Sequence, residues 1–224
     1  MSVIFINPYI AFPPSGLVLP ALGDPFEGGF LAGLISHSAD GNPTHALIVA
    51  PRATGASGTG YTLTTSKTWK TTTTTTANTS STFDGAANTA AMVAAGIADH
   101  PAAQFCVGLS IGDFNDWYLP ALLELDIIYY NLKPTTTSNS TSFGVNAYAV
   151  PPRTTNYTTS DPAQTSVAAF QTGGNESFQA FSHWVSTQNT SANAANLTFD
   201  SGGHLNAIQK TAARRVRAIR KIAL

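Results

Sequence analysis

The sequence predicts an α+β fold: a twisted antiparallel sheet, two main helices and a long loop region, preceded by an extended N-terminal arm. Three observations predict it. A strand–turn–strand signal occupies roughly residues 26–51, two helix-forming stretches follow at 83–106 and 120–132, and a Thr-, Ser- and Asn-rich excursion over about 134–182 precedes short strand-like runs. At 224 residues with 43% hydrophobic content, the chain is long enough for one sizeable core. Only 10% of residues are charged, far below the usual quarter, so the surface must be polar without being ionic.

Residues 1–22 read as an assembly arm. Phe5, Ile6, Tyr9 and Phe12 are apolar, Pro8, Pro13 and Pro14 punctuate the segment, and no basic n-region precedes the apolar run, as a secretory signal would require. An arm of this composition needs a neighbour to cover it. Residues 23–224 then form the domain.

In FEGGFLAGLI the glycines permit close backbone approach, and HALIVAP reads as a buried strand closed by Pro51; a turn at Asp40–Pro43 joins the two. The run Thr71–Thr76 is β-branched and favours extended backbone, with Trp69 as its anchor, so residues 53–82 read as a surface ribbon or loop. FDGAANTAAMVAAG is rich in alanine, with Asp84 as N-cap and Gly96 as terminator. Asp99 is placed to cap a short following turn, with Pro101 near its first position.

The stretch GLSIGDFNDWYLPALLELDIIYYNL carries the densest chemistry. Leu122, Leu125, Ile128, Tyr129 and Leu132 recur at helical spacing, with Pro120 expected in the first turn. Asp113 and Asp116 invite an acid–base reading, but no partner constellation accompanies them, and Glu124 and Asp126 fall around the helix. The favoured reading makes Asp116 a tie to the helix N-terminus, with Trp117 and Tyr118 in the core. HWVSTQ, NLTF and HLNAI read as strands, with Asp200–Gly203 turning between the last two. RRVRAIRKI fits a helix and a strand equally well by periodicity.

Other chemistries find little support. Cys106 is the only cysteine, so neither an internal disulfide nor a cysteine-rich metal site can form. The five histidines show no metal-binding spacing, neither GxxxxGK[ST] nor GxSxG occurs, and calcium would need a denser set of oxygen ligands. No metal and no cofactor is therefore expected. Six of the 11 basic residues fall in the last fifteen positions, leaving five basic against twelve acidic residues before them. The favoured reading pairs that basic cluster with the acidic body rather than with nucleic acid. No window suits a membrane span.

The segments GGFLAGLI, HALIVAP, FDGAANT, HPAAQFC, GLSIGDFNDWYLPALLELDIIYYNL, HWVSTQ and RRVRAIR, in that order from Asp24 to Ile222, resemble the C-terminal domain of the Legionella collagen-like adhesin, a family common in phage and prophage fibre proteins. The DWYLP-x-x-x-EL run carries most of the likeness. His183-Trp184-Val185-Ser186-Thr187 departs from the family's Tyr-Trp-Ser-Ser-Thr. The resemblance implies a C-type lectin-like fold and makes RRVRAIR the last strand.

It also implies a non-enzymatic bacteriophage virion protein, a fibre or spike subunit attaching to a host-surface glycan or protein. The alternatives are a purely structural decoration or tail-assembly subunit without a host ligand, or a bacterial surface adhesin. The expected partners are other virion proteins through the arm and sister chains of a homotrimer. The rings and amides of the excursion and its flank supply the ligand candidates: Tyr148, Tyr157, Asn146, Asn156, Trp184 and Gln188.

Overall fold

The computed structural model describes residues 17–57 and 66–224. The arm residues Phe5, Ile6, Tyr9 and Phe12 lie outside them. The architecture is mixed, mostly sheet with few helices, and is organised by a curled antiparallel sheet.

Strand β1 (Pro25–Phe26), β2 (Gly29–Ile35), β3 (His45–Val49) and β11 (Ile219–Ala223) form the main sheet in the order β1-β2-β3-β11. The apolar run of HALIVAP has a direct explanation. Leu47 and Val49 point into one core with Tyr118, Leu125, Ile128 and Phe199, whereas Ala46, Ile48 and Ala50 point into a second with Trp69, Trp117 and Trp184. Successive side chains alternate between faces, and both faces are covered, so every position is apolar. A register shift between Leu31 and Gly33 lets a helix approach β2: a Cβ on Gly33 (φ 153°) would lie 2.5 Å from Ile127 Cγ2.

That helix is α4 (Leu122–Leu132), which buries Leu122, Leu125, Ile128, Tyr129 and Leu132 as the periodicity predicts. Pro120 precedes the N-cap residue Ala121 instead of occupying the first turn, and Glu124 reaches back to accept the Ala121 N–H at 2.7 Å. After the single helical turn α1 (Arg52–Gly55), helix α2 (Gly85–Ala94) begins at Asp84, whose Oδ1 accepts from Ala87 N at 3.1 Å, and its exit passes through Gly96 at φ 108°. Helix α3 (Pro101–Val107) starts on proline, but His100 is its N-cap. Asp99 closes the preceding 3-10 turn and accepts from the Thr71 hydroxyl.

A second sheet contains β6 (Ser182–Gln188), β7 (Asn193–Thr198) and β8 (His204–Gln209), in that order. The segment 213–223 is strand throughout its paired length. After β4 (Ala56–Ser57) and β5 (Lys67–Thr68), β9 (Ala213–Arg214) pairs with β5, β10 (Val216–Arg217) with β4, and β11 with β3. Trp184 N donates to Arg215 O (2.8 Å), joining the second sheet to the same segment.

The Thr71–Thr76 loop wraps two ammonium groups. Lys70 Nζ donates to Thr75 O and Thr76 Oγ1, and Lys210 Nζ to Thr74 O and Gln188 Oε1, with Lys210 4.7 Å over the buried Trp69 ring. Burial, and then the charge of Lys70, lower the Lys210 pKa to about 8.

Candidate functional site

The excursion after α4 is held by one stripe of that helix. Asp126, Tyr129, Tyr130 and Lys133 stand at i, i+3, i+4 and i+7, hence on one face. Asp126 is fully buried and accepts from Arg153 NH2, the Tyr157 hydroxyl, Asn146 Nδ2 (2.8 Å) and His204 Nε2 (3.3 Å). Tyr129 donates its hydroxyl to Asn139 Oδ1 at 2.5 Å, and Asn139 Nδ2 in turn donates to Thr158 O and Pro162 O. Lys133 Nζ donates to Thr137 O (2.6 Å) and Pro162 O (3.1 Å). Burial, followed by the Asp126 charge, pushes the Tyr157 hydroxyl far above its ordinary pKa, so it remains a donor.

Beside this network lies a groove of about 280 Å3. Tyr130 forms one wall, its ring 4.6 Å from the Arg153 guanidinium carbon. Pro151 and Pro152 add apolar surface, the Tyr157 edge closes the interior, and Thr154, Thr155, Asn156 and Asp161 form an exposed rim. Asp126 neutralises Arg153, and Arg153 Nε also donates to Gly144 O. A second cavity, between Arg52, Gln179, His183 and Arg217, measures about 10 Å3 and has room for one water. Gln179 Nε2 is buried there without a partner among the described residues. Burial, outweighing the Phe181 carbonyl, lowers the His183 pKa to about 3 and leaves the ring neutral.

The six sequence-derived ligand candidates separate. Asn156 is exposed on the groove rim, and Tyr157 lines the groove although it is only 4% exposed. The other four lie away from the groove and are engaged in internal contacts. Asn146 is buried, donating to Leu123 O and Asp126 and accepting from Tyr148 N and Ala149 N. Tyr148 is half-buried and stacks on Phe83 at 4.1 Å with rings 9° from parallel. Trp184 is fully buried and donates to Lys67 O, and Gln188 Oε1 accepts from Thr76 N and Lys210. Asn146 and Tyr148 lie in a long segment without regular hydrogen bonding, which needs inward rings and amides to hold it, whereas Trp184 and Gln188 belong to strand β6.

The acidic residues before α4 also differ from expectation. Asp116 makes a two-pronged pair with Arg220 (Nε–Oδ1 2.7 Å, NH2–Oδ2 3.0 Å), and Arg220 covers the Phe114 ring at 3.9 Å. Asp113 is exposed, and neither caps the helix. Trp117 and Tyr118 are core, as predicted. The role assigned to Asp116 falls instead to Glu124. Its Oε2 accepts from Ala121 N and Gly85 N, and its Oε1 from the Tyr118 hydroxyl (2.8 Å). Burial raises the Glu124 pKa to about 7 against the lowering effect of these donors.

Three of the six basic residues in the terminal cluster pair with carboxylates of the body: Arg217 with Glu176 (2.7 Å), Arg220 with Asp116, and Lys221 with Asp84 (2.9 Å). No group of three or more metal-ligating side chains, and no helix long and apolar enough to cross a membrane, occurs among the described residues. No protein-family model matches the chain, and no curated protein matches it in sequence.

Sequence reasoning missed Asp126, Tyr130, Lys133 and Arg153. A signal existed in the sequence: Asp126 within the mostly apolar α4 and Lys133 just past its end, seven residues on, must face something polar, and the excursion begins directly after them.

Proposed function

We propose that this chain is a non-enzymatic recognition subunit of a bacteriophage virion, a fibre or spike protein with a C-type lectin-like domain that contacts the host surface. One observation carries the reading: an open groove, rimmed by threonine hydroxyls, the Asn156 amide and the Asp161 carboxylate, on an excursion anchored to α4 by Asp126, Tyr129 and Lys133. Such a site is already ordered before ligand arrives, which lowers the entropy cost of binding. Display of many copies, as in a homotrimeric fibre, turns weak single contacts into firm attachment. The arm residues Phe5, Ile6, Tyr9 and Phe12 serve the contact with other virion proteins in this reading.

A second reading, a decoration or assembly subunit with no host ligand, draws support from the inward positions of Asn146, Trp184 and Gln188. Adhesion of the purified chain to host cells separates the two. Saturable binding that weakens in an Asn156→Ala/Thr155→Ala variant supports host attachment; absence of binding by the unaltered chain refutes it and leaves the structural reading. Tyr148 and Tyr157 are unsuited to this test, because their truncation removes packing as well as any contact.

A further inference from the structure

We infer that the groove beside Tyr130 takes a neutral saccharide ring, gripped through adjacent hydroxyls by Asp161 and Asn156 and bound without a metal ion. This rests on the recognition reading above and assigns its ligand.

Charge comes first. Arg153 faces the groove but is neutralised by the buried Asp126. Asp161 is exposed on the rim. Its backbone N–H is taken by Thr158 Oγ1, yet among the described residues nothing donates to its carboxylate. The groove therefore presents one uncompensated negative charge, and an acidic sugar would place like charges together. A carboxylate accepts readily from two neighbouring hydroxyls and gains charge-assisted bonds by doing so. The Asn156 amide on the same rim both donates and accepts, as the mixed polarity of a sugar hydroxyl requires.

Shape comes second. At about 280 Å3 the groove lies at the small end of ligand pockets, suited to one ring. A stable protein partner covers roughly 800 Å2 on each side. Pro151, Pro152 and Tyr130 supply the apolar part of the lining, against which the C–H face of a pyranose packs. One carboxylate with an amide and hydroxyls falls short of the six to eight oxygens calcium takes, so the grip must come from the side chains directly.

The test is titration of the full chain, by calorimetry and by ligand-observed NMR, with methyl glucoside, mannoside, galactoside and their N-acetylamino counterparts. Methyl glucuronide and sialic acid form the acidic arm, an oligolysine peptide the protein-like arm, and each titration is repeated with EDTA. At least one neutral glycoside is expected to bind, unaffected by EDTA, with affinity about tenfold or more weaker in Asp161→Ala, as loss of charge-assisted hydrogen bonds implies. Circular dichroism verifies that this exposed substitution leaves the fold intact. Binding confined to acidic sugars or to the peptide, loss of binding with EDTA, an unaffected Asp161→Ala variant, or silence across the neutral panel would each overturn the inference. Host adhesion that persists in Asp161→Ala rejects this ligand assignment while leaving host attachment standing; failure of the unaltered chain to adhere rejects host attachment itself.

Discussion

Replacing Glu124 with glutamine should remove a pH dependence of stability that the wild-type chain carries. Glu124 is fully buried, facing Tyr118, the N–H groups of Gly85 and Ala121, and more distantly Asp84 and Lys221. Its pKa rises from 4.5 to about 7 on folding. The folded state thus holds this proton more tightly than the unfolded state. Stability from this group is fully present below pH 4.5 and falls as pH rises through about 7. At about 1.4 kcal/mol per pKa unit, the loss amounts to about 3 kcal/mol.

Glutamine has nearly the same shape. Its carbonyl can accept from both backbone N–H groups, and its amide can donate to the Tyr118 oxygen, so the joint between α2 and α4 survives uncharged. Urea denaturation of both proteins at pH 5, 6, 7 and 8 measures the effect. The histidines with lowered pKa values, His37, His45, His100 and His183, destabilise the fold as pH falls, but they are common to both proteins and cancel in the difference. The variant should gain on the wild type by up to about 3 kcal/mol between pH 5 and 8. A difference that does not change with pH would show that Glu124 titrates as an ordinary carboxylate and would refute the reasoning.

Asp126→Ala leaves Arg153 without its carboxylate and frees the Tyr157 hydroxyl, so a loss of about 3–5 kcal/mol is expected. Hydrogen exchange in that variant should rise first over residues 139–162. Asp116→Ala, although its ion pair is two-pronged, should cost only about 1 kcal/mol, because the Asp116 side chain is 51% exposed; a thermal melt compares it with Asp126→Ala. Gly33→Ala forces a methyl against Ile127 and Asn131 in a left-handed backbone region, and chemical denaturation should register a loss of about 1–3 kcal/mol. Cys106 is fully buried, with its thiol pKa pushed well up by burial, so a thiol reagent should label it only on unfolding.

Where a segment's pattern follows from its own periodicity, the sequence was readable. HALIVAP, the apolar positions of α4 and the Asp84 cap needed only local rules, and the strand runs of the second sheet were recognisable in the same way. The segment 213–223 was not decidable, because Val216, Ile219 and Ile222 fit the helical period while Arg215 and Arg217 alternate with Val216 and Ala218 as in a strand, and only pairing with strands far away selects one. The candidate site was half legible. Composition located the excursion, and Asn156 and Tyr157 do line its groove. Exposure of a ring in a loop depends on which distant group it meets, however. Tyr157 meets Asp126, Tyr148 meets Phe83 and Trp184 meets Lys67 O, at separations no local rule reaches. Asp116 was misassigned for the same reason: its partner, Arg220, lies 104 residues away.

The strand segment that pairs with β5, β4 and β3 has a kinetic consequence. Val216 N donates to Ser57 Oγ across 159 residues, Arg217 Nε to Ala50 O across 167, and Arg220 NH1 to Glu27 O across 193. Closing loops of that length precedes any reward from the contacts they create, and chains dominated by distant pairings fold slowly. Until that closure, β3 stands as a bare edge carrying Ala46, Leu47, Ile48 and Val49, a template for misassociation between chains. Crowded synthesis should therefore lose yield to aggregation at this step, and a refolding yield that drops as protein concentration rises is its expected signature.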